Sequence, residues 1–254
     1  MIVDVHVHAE PGATELDPAV ARAAQRLGIE RLCVSSLGDW SYVPTTQQCV
    51  AANDQTLALM RRHPDLVWGL CYVNPAAEPI RRGNTEHGWR QEVERCLQEG
   101  MVGIKLWVAV RCASAPARAV IEHAIERDVP VQLHTWWKMT GNLPHESRPE
   151  EAAELSRLYP QAKLIVAHLG GDWQRGVAAL GETNACADTS GSIVERGMIE
   201  RAVAVLGADR VIFGSDSAGA TLAGTLAKIT GARIGEEDKR KVLGLNALRL
   251  LGRC

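Results

Sequence analysis

Short apolar runs of five to seven residues recur eight times along the chain, at 2–6, 31–36, 67–73, 102–107, 129–134, 164–168, 184–189 and 211–216. Each is followed by a polar loop and then by a stretch whose apolar residues return with the period of a helix: 18–27, 46–62, 88–99, 115–127, 150–158, 174–180, 193–206 and 237–251. Punctuation supports several of these helices. Gly28, Gly100 and Gly207 stand just past helix ends, and Ser147 lies three residues before Glu150 as a capping box, with Pro149 in the first turn. The runs are apolar on both faces, as strands covered on both sides must be, and strand-then-helix alternation predicts parallel strands joined by crossover helices. Two architectures use that alternation. An open doubly wound nucleotide binder should carry GxGxxG after its first strand, but here the turn reads His8-Ala-Glu-Pro-Gly-Ala. The expected fold is therefore α/β, a closed (β/α)8 TIM barrel occupying residues 1–254 as a single domain. The longest irregular segment, 135–147 after the fifth strand, has the length of a lid or binding loop.

Side chains in a strand alternate between faces. In the opening Met1-Ile-Val-Asp-Val-His-Val-His8, the imidazoles of His6 and His8 therefore point one way, with Asp4 behind them, while Val3, Val5 and Val7 point the other. Two neutral imidazoles aimed at one spot begin a metal site, although a two-ligand motif also recurs by chance. Barrel chemistry collects at the C-terminal ends of the strands. There the chain offers His6 and His8 after strand one, Lys105 near the end of strand four, His134 ending strand five, His168 ending strand six and Asp216 ending strand eight. Each has an ordinary explanation by itself: a hydrogen-bonded core histidine, a helix-capping aspartate, a lysine paired with a carboxylate. Together they bring six groups able to bind metal to one mouth, and burying them side by side is costly unless they satisfy one another or a cation.

Composition narrows the partners. Among 254 residues, 46% of them hydrophobic, 28 basic and 30 acidic side chains are well mixed and leave a net charge of -2. No basic block marks a nucleic-acid surface, and no apolar stretch approaches the roughly 20 residues that span a bilayer. Neither nucleic acid nor a membrane is expected as a partner. The N-terminal run contains Asp4, His6 and His8 and lacks the cationic start of a secretion signal. The seven cysteines, Cys33, Cys49, Cys71, Cys96, Cys112, Cys186 and Cys254, show no CxxC spacing and mostly lie in apolar patterns, as reduced thiols of a cytoplasmic protein would.

The order of the polar residues resembles the amidohydrolase superfamily: HxH on strand one, lysine on strand four, histidines on strands five and six, aspartate on strand eight. The Asp-Val-His-Val-His start, the His-Leu-Gly-Gly after strand six, the Gly-Ser-Asp on strand eight and the closing Asn246-Ala-Leu-Arg-Leu-Leu resemble its amidohydrolase-related branch, that of the aminocarboxymuconate-semialdehyde decarboxylase-like metal-dependent hydrolases. The likeness covers essentially the whole chain and is specific for fold and metal site, not for reaction. It implies that His6, His8, His134 and Asp216 hold one ion, usually Zn2+, with His168 facing the water on that ion. In binuclear members a carboxylated strand-four lysine bridges two metals, and Lys105, His134 and His168 leave that arrangement open; otherwise Lys105 is a cationic substrate contact. A metal-activated water, Asp216 as proton acceptor and donor, and a carbonyl polarised by the metal or His168 would hydrolyse a small cyclic or aromatic ester, lactone or amide. The same parts serve nonoxidative decarboxylation of an aromatic or enoic acid, and a non-catalytic metal- or ligand-binding barrel would also keep the ligands.

Five of the seven tryptophans follow strand ends, Trp40, Trp107, Trp136, Trp137 and Trp173, in a chain with one Phe and three Tyr. Tryptophans also cover seams between barrel and helices, the expected place of Trp68 and Trp89. The five at the mouth predict an aromatic-lined pocket for a planar or ring-containing small molecule. Lys105, Lys138, Arg111 and Arg175 are candidate partners for a substrate carboxylate, and His145 is a candidate lid residue. His63, His87 and His123 read as surface or packing histidines, and Asp188, ending strand seven, either lines the pocket or caps the segment after it. The loops are lean enough for the site to be completed by a second subunit, so a homo-oligomer is expected.

Overall fold

The computed structural model describes residues 1–217 and 219–253. Its strands are β1 (Ile2–Ala9), β2 (Ile29–Ser36), β3 (Val67–Tyr72), β4 (Ile80–Arg82), β5 (Thr85–His87), β6 (Gly103–Leu106), β7 (Val131–Leu133), β8 (Leu164–Val166), β9 (Cys186–Asp188) and β10 (Val211–Ile212). Its helices are α1 (Pro18–Leu27), α2 (Thr46–Arg62), α3 (Trp89–Gln98), α4 (Ala115–Glu126), α5 (Pro149–Leu158), α6 (Trp173–Leu180), α7 (Met198–Leu206), α8 (Leu222–Thr230), α9 (Glu236–Arg240) and α10 (Asn246–Leu250). Apart from the hairpin β4–β5, the strands form one sheet in the order β1-β2-β3-β6-β7-β8-β9-β10. Every neighbouring pair in that sheet is parallel. The sheet closes on itself. Val7 bridges Ser217 in parallel, Val5 N donates to Phe213 O at 3.1 Å, and Asp216 N donates to His6 O at 2.8 Å. The result is the expected (β/α)8 TIM barrel.

Helix starts follow from side chains that satisfy the first free amides. Asp17 accepts from Ala19 N ahead of Pro18, Ser114 from Ala117 N, Asp172 from Arg175 N and Thr221 from Gly224 N, while Thr45 and Gln48 form a reciprocal capping box. A register shift between Asp4 and Val7 breaks the expected alternation of β1, and Val3 and Val5 pack with Cys33, Leu70, Ile165, Cys186 and Ile212 of the other strands and with Ala247, Leu250 and Leu251. His6 of the same strand shares the buried interior with Lys105, Gln132 and Asp188. A barrel interior of this size is usually filled by branched aliphatic side chains. Here hydrogen-bonded polar groups fill its upper part.

Several expectations need correction. β7, β8 and β10 end at Leu133, Val166 and Ile212, so His134, His168 and Asp216 sit on the turns beyond the ladder, not in strands. Ser147 does not cap α5: its hydroxyl accepts from Cys112 N, and at the start of the helix the Glu151 carboxylate accepts from Arg148 N. The helix expected over 193–206 begins only at Met198, because Gly197 takes a left-handed conformation (φ 84°) in front of it. The closing helix is broken by a wide turn at Lys241–Leu245, where a side chain on Gly244 would collide with Met1 O. Gly224 and a run of small residues blur the period of α8, and the strands of β4–β5 are only three residues long, so neither element stands out in the residue pattern. Cys33, Cys49, Cys71, Cys96, Cys112 and Cys186 are buried free thiols; Cys254 lies outside the described residues. Among the described residues no helix is long and apolar enough to cross a membrane.

Candidate metal centre at the barrel mouth

β1 brings His6 and His8 to the C-terminal end of the barrel on one face, and the turn after β10 brings Asp216 against them. His6 Nε2 lies 3.1 Å from His8 Nε2, and Asp216 Oδ1 lies 3.5 Å from the first and 3.6 Å from the second. The outer nitrogens decide what these atoms are. Nδ1 of His6 faces Asp188 Oδ2 at 2.9 Å, and Nδ1 of His8 faces the carbonyl of Ser35 at 3.0 Å. Both partners only accept, so each Nδ1 carries the hydrogen and each Nε2 presents a lone pair. Burial first, then the charge of Lys105, holds both imidazoles well below their ordinary values, in the neutral form a metal requires. Two imidazole lone pairs and a carboxylate oxygen thus face one another. Such a set is completed by a cation, and a divalent metal fits it chemically.

One cation already stands beside it. Lys105, fully buried on β6, donates to His6 Nε2 and to Gln132 Oε1, both at 2.9 Å. Burial depresses its amine, against the attraction of Asp188 and Asp216. Gln132 on β7 also donates to Val5 O at 2.9 Å and to Asp188 Oδ2 at 3.2 Å. Burial likewise pushes the Asp216 carboxyl up, with Lys105 pulling the other way.

His134 stands near but is not part of the converging set, which consists of His6, His8 and Asp216, with a second, wholly buried group formed by His6, His168 and Asp188. His134 Nε2 pairs with Glu146 Oε1 at 3.1 Å, and Lys138 holds the same carboxylate at 2.8 Å. Burial raises Glu146, but hydrogen bonds from His134, Lys138 and Leu143 N outweigh it and hold the group at about 2. The 135–147 segment is thus tied down over the site through His134. His168 follows β8 with φ 60°, and Leu169, Gly170 and Gly171 continue in the left-handed region. Trp40 and Asp216 share that conformation, so of five non-glycine residues with positive φ among those described, four surround this mouth. Strain of this kind persists where neighbours over-determine it. Here Asp188 Oδ1 accepts from His168 N at 2.9 Å, and His6 O accepts from Asp216 N.

The aromatic rim divides. Trp40 packs edge-on against His8 and Trp107, and Trp136 lies 4.9 Å from the His168 ring and stacks on His134 at 6.2 Å. Trp137 instead lies under the Arg175 guanidinium, and Trp173 is buried in α6 with Nε1 on Glu195. The candidate carboxylate partners are already paired: Lys138 with Glu146, Arg111 with Glu151, Arg175 with Glu150 and Lys105 as above. The residue pattern alone does not single out Gln132, Glu146 or Ser190, and it leaves Asp188 between two roles. Gln132 precedes His134 by two residues, so the alternation that pairs His6 with His8 is a signal that points to it. Ser190 carries no sequence signal.

A closed parallel barrel with histidine, aspartate and lysine side chains converging at its C-terminal mouth is the scaffold of a barrel enzyme with a metal-type site. The family model described as amidohydrolase matches residues 3–253, and the chain belongs to that family. No curated protein matches it. Among solved structures, 2,6-dihydroxybenzoate decarboxylase from Rhizobium is similar at 17% identity and TM-score 0.74, over 99% of this chain and 98% of that one. A dihydroxybenzoic acid decarboxylase from Polaromonas sp. JS666, with bound manganese and the inhibitor 2-nitroresorcinol, is similar at 18% and 0.71, over 99% and 96%. 4-Oxalomesaconate hydratase from Rhodopseudomonas palustris is similar at 17% and 0.68, over 100% and 96%.

Proposed function

We propose that this protein is a divalent-metal-dependent lyase that removes carbon dioxide, without oxidation, from a small aromatic or enoic carboxylic acid. The observation that carries this reading is the convergence of His6 Nε2, His8 Nε2 and Asp216 Oδ1 under the wall formed by Trp40, Trp107 and Trp136. A lone-pair cluster asks for a cation, and indole faces suit a flat ring. Similar barrels act on dihydroxybenzoate, and one holds manganese and a resorcinol, which supports the choice of decarboxylation over the hydrolysis expected from the residue types alone.

In this reading His6, His8 and Asp216 hold the ion. His134, with Nε2 on Glu146, lies outside the converging set and would hold the 135–147 segment over the site. When bound, a divalent ion supplies a Lewis acid for the substrate's oxygen atoms. The tryptophans hold the ring flat against the mouth and exclude water. The bond between the ring and the carboxylate carbon breaks, its electron pair stays on the ring carbon, and carbon dioxide leaves. One proton must then reach that carbon. Asp216 would take that proton from water on Oδ2 and pass it to the carbon, since Oδ1 is the oxygen nearest His6 and His8. Lys105 stays in place as a buried positive charge beside His6. An ion on His6 Nε2 would take the lone pair to which Lys105 donates, and the ammonium would keep its bond to Gln132 Oε1.

The test is product analysis on metal-free protein reloaded with Zn2+ or Mn2+ and offered hydroxybenzoates, enoic acids, aryl esters and lactones. Carbon dioxide with one equivalent of decarboxylated ring product is expected. Ester or lactone opening without carbon dioxide would return the site to hydrolysis, and ion binding without turnover of any class would leave a binding barrel.

A further inference from the structure

We infer that Ser190 fixes the tautomer of His168: the Ser190 hydroxyl donates to Asp188 and accepts from Nδ1–H of His168, which leaves Nε2 as the proton-free atom of that ring. Ser190 Oγ is the hub of three groups. It lies 2.8 Å from His168 Nδ1 and 3.0 Å from His6 Nδ1, and it bonds Asp188 Oδ1. A hydroxyl has one hydrogen to give and two lone pairs. Asp188 already accepts from His168 N, Ser190 N, His6 Nδ1 and Gln132 Nε2, so it acts only as an acceptor. Were the hydroxyl hydrogen turned to His168, the oxygens of Ser190 and Asp188 would face each other without a proton between them. The hydrogen therefore belongs to Asp188, and the serine oxygen accepts from His168 Nδ1–H, while the single hydrogen on His6 Nδ1 is shared between Asp188 Oδ2 and Ser190 Oγ.

The backbone around Ser190 is held for this purpose. Lys228 reaches in from α8, 8% exposed, and its ammonium donates to Thr189 O at 2.9 Å and Gly191 O at 2.6 Å, the two carbonyls that flank the serine. Gly191 is left-handed at φ 91°, and a side chain there would press on His168 Nδ1 at 3.3 Å, so glycine lets the segment lie against the ring. Ser190 is thus a positioning residue, and Lys228 its anchor.

The consequence deepens the decarboxylation reading and rests on it: a neutral His168 with Nε2 bare accepts a proton from a substrate hydroxyl, returns it to that oxygen after carbon dioxide leaves, and starts with no proton of its own on Nε2 for the ring carbon. The two groups have separate duties, Asp216 giving a proton and His168 taking one.

The experiment is nitrogen NMR of the histidine rings in zinc-loaded protein, zinc being diamagnetic, with His168→Gln assigning the signals. In the wild type, His168 should show a protonated Nδ1 and an unprotonated Nε2. Ser190→Ala should lose that single tautomer and lower kcat by about 10- to 100-fold with KM little changed and zinc content retained, and Ser190→Thr should restore both. A wild-type His168 protonated at Nε2, or an unchanged tautomer in Ser190→Ala, overturns the inference. The wild-type spectrum decides by itself if neither variant folds. An Nδ1–H tautomer in a protein that releases no carbon dioxide sinks the reaction and spares the tautomer; Nε2–H in an active decarboxylase does the reverse.

Discussion

Burial acts upward on the carboxyl groups of Asp4 and Glu92, and what each becomes depends on the hydrogen bonds that oppose it. Asp4 accepts from His6 N and Ser215 N on one oxygen, has no partner on the other, and is pushed up to about 7. Glu92 is as well enclosed by the chain, yet Arg95, Asn53 and His87 donate to it at 2.7–3.0 Å and hold it at about 2. A carboxylate held below its unfolded value contributes stability that is present above about 4.5 and fades as the pH falls toward about 2. Glu92→Gln should therefore cost about 2 kcal/mol at pH 7 in a urea titration, as hydrogen bonds to a charged group are lost. The gap to wild type should narrow as the buffer is taken below about pH 4.5; a gap independent of pH would remove the ionised carboxylate from the account. Single residues of this kind were only partly legible. His6, His8, His134, His168 and Asp216 announce themselves because their types are rare at strand ends. Gln132 and Ser190 are ordinary residues whose roles appear only once the closed barrel turns β7, β1 and the segment after β9 toward one interior.

The element that positions His168 is a left-handed turn pressed against a helix. His168, Leu169, Gly170 and Gly171 run through φ values of 60°, 48°, 88° and 83°, and α6 then packs back on them. Gly176 makes that packing close: a Cβ there would sit 1.8 Å from Leu169 O, with Gly170 Cα at 3.0 Å. The obstacle is backbone, so neither side can rotate away. Gly176→Ala should cost about 3 kcal/mol, the upper range for overpacking, in spite of the better helix propensity of alanine. It should also move the turn, so Trp136 fluorescence and carbon dioxide release should change in whatever fraction stays folded. A variant as stable as wild type would mean that α6 can slide. The His-Leu-Gly-Gly string could be read as a motif, but its reason could not. Gly171 is needed where the Trp136 ring would meet a side chain at 2.8 Å, and that neighbour is 35 residues away in sequence. The same limit hid α8 and the β4–β5 hairpin, which carry too few periodic residues to stand out, whereas the eight-fold alternation that sets the barrel was plain.

A barrel must close, and this one closes sparingly. β10 has two residues, paired to β9 through Val211 with Ala187 and Ile212 with Asp188, and its junction with β1 rests on the Val7–Ser217 bridge and a few backbone hydrogen bonds. The candidate metal donors straddle that seam, with His6 and His8 on the first strand and Asp216 on the turn after the last. Without an ion their lone pairs repel one another across it; an ion would join the two ends of the sheet. Because the unfolded chain has no such cluster, binding adds to stability by mass action, about 2.7 kcal/mol when the free ion is at roughly 100 times its dissociation constant. For a chain of this size one kcal/mol corresponds to about 2–4 °C. Protein stripped with a chelator should therefore melt about 5–10 °C below protein supplied with Zn2+ or Mn2+. His8→Ala should erase most of that difference while lowering the melting point of the stripped protein far less. His145→Ala, an exposed loop histidine outside the cluster, should leave the difference intact. An ion that binds at one equivalent yet does not move the melting temperature, or one whose effect survives His8→Ala, would place it away from the seam and take the metal from this mouth.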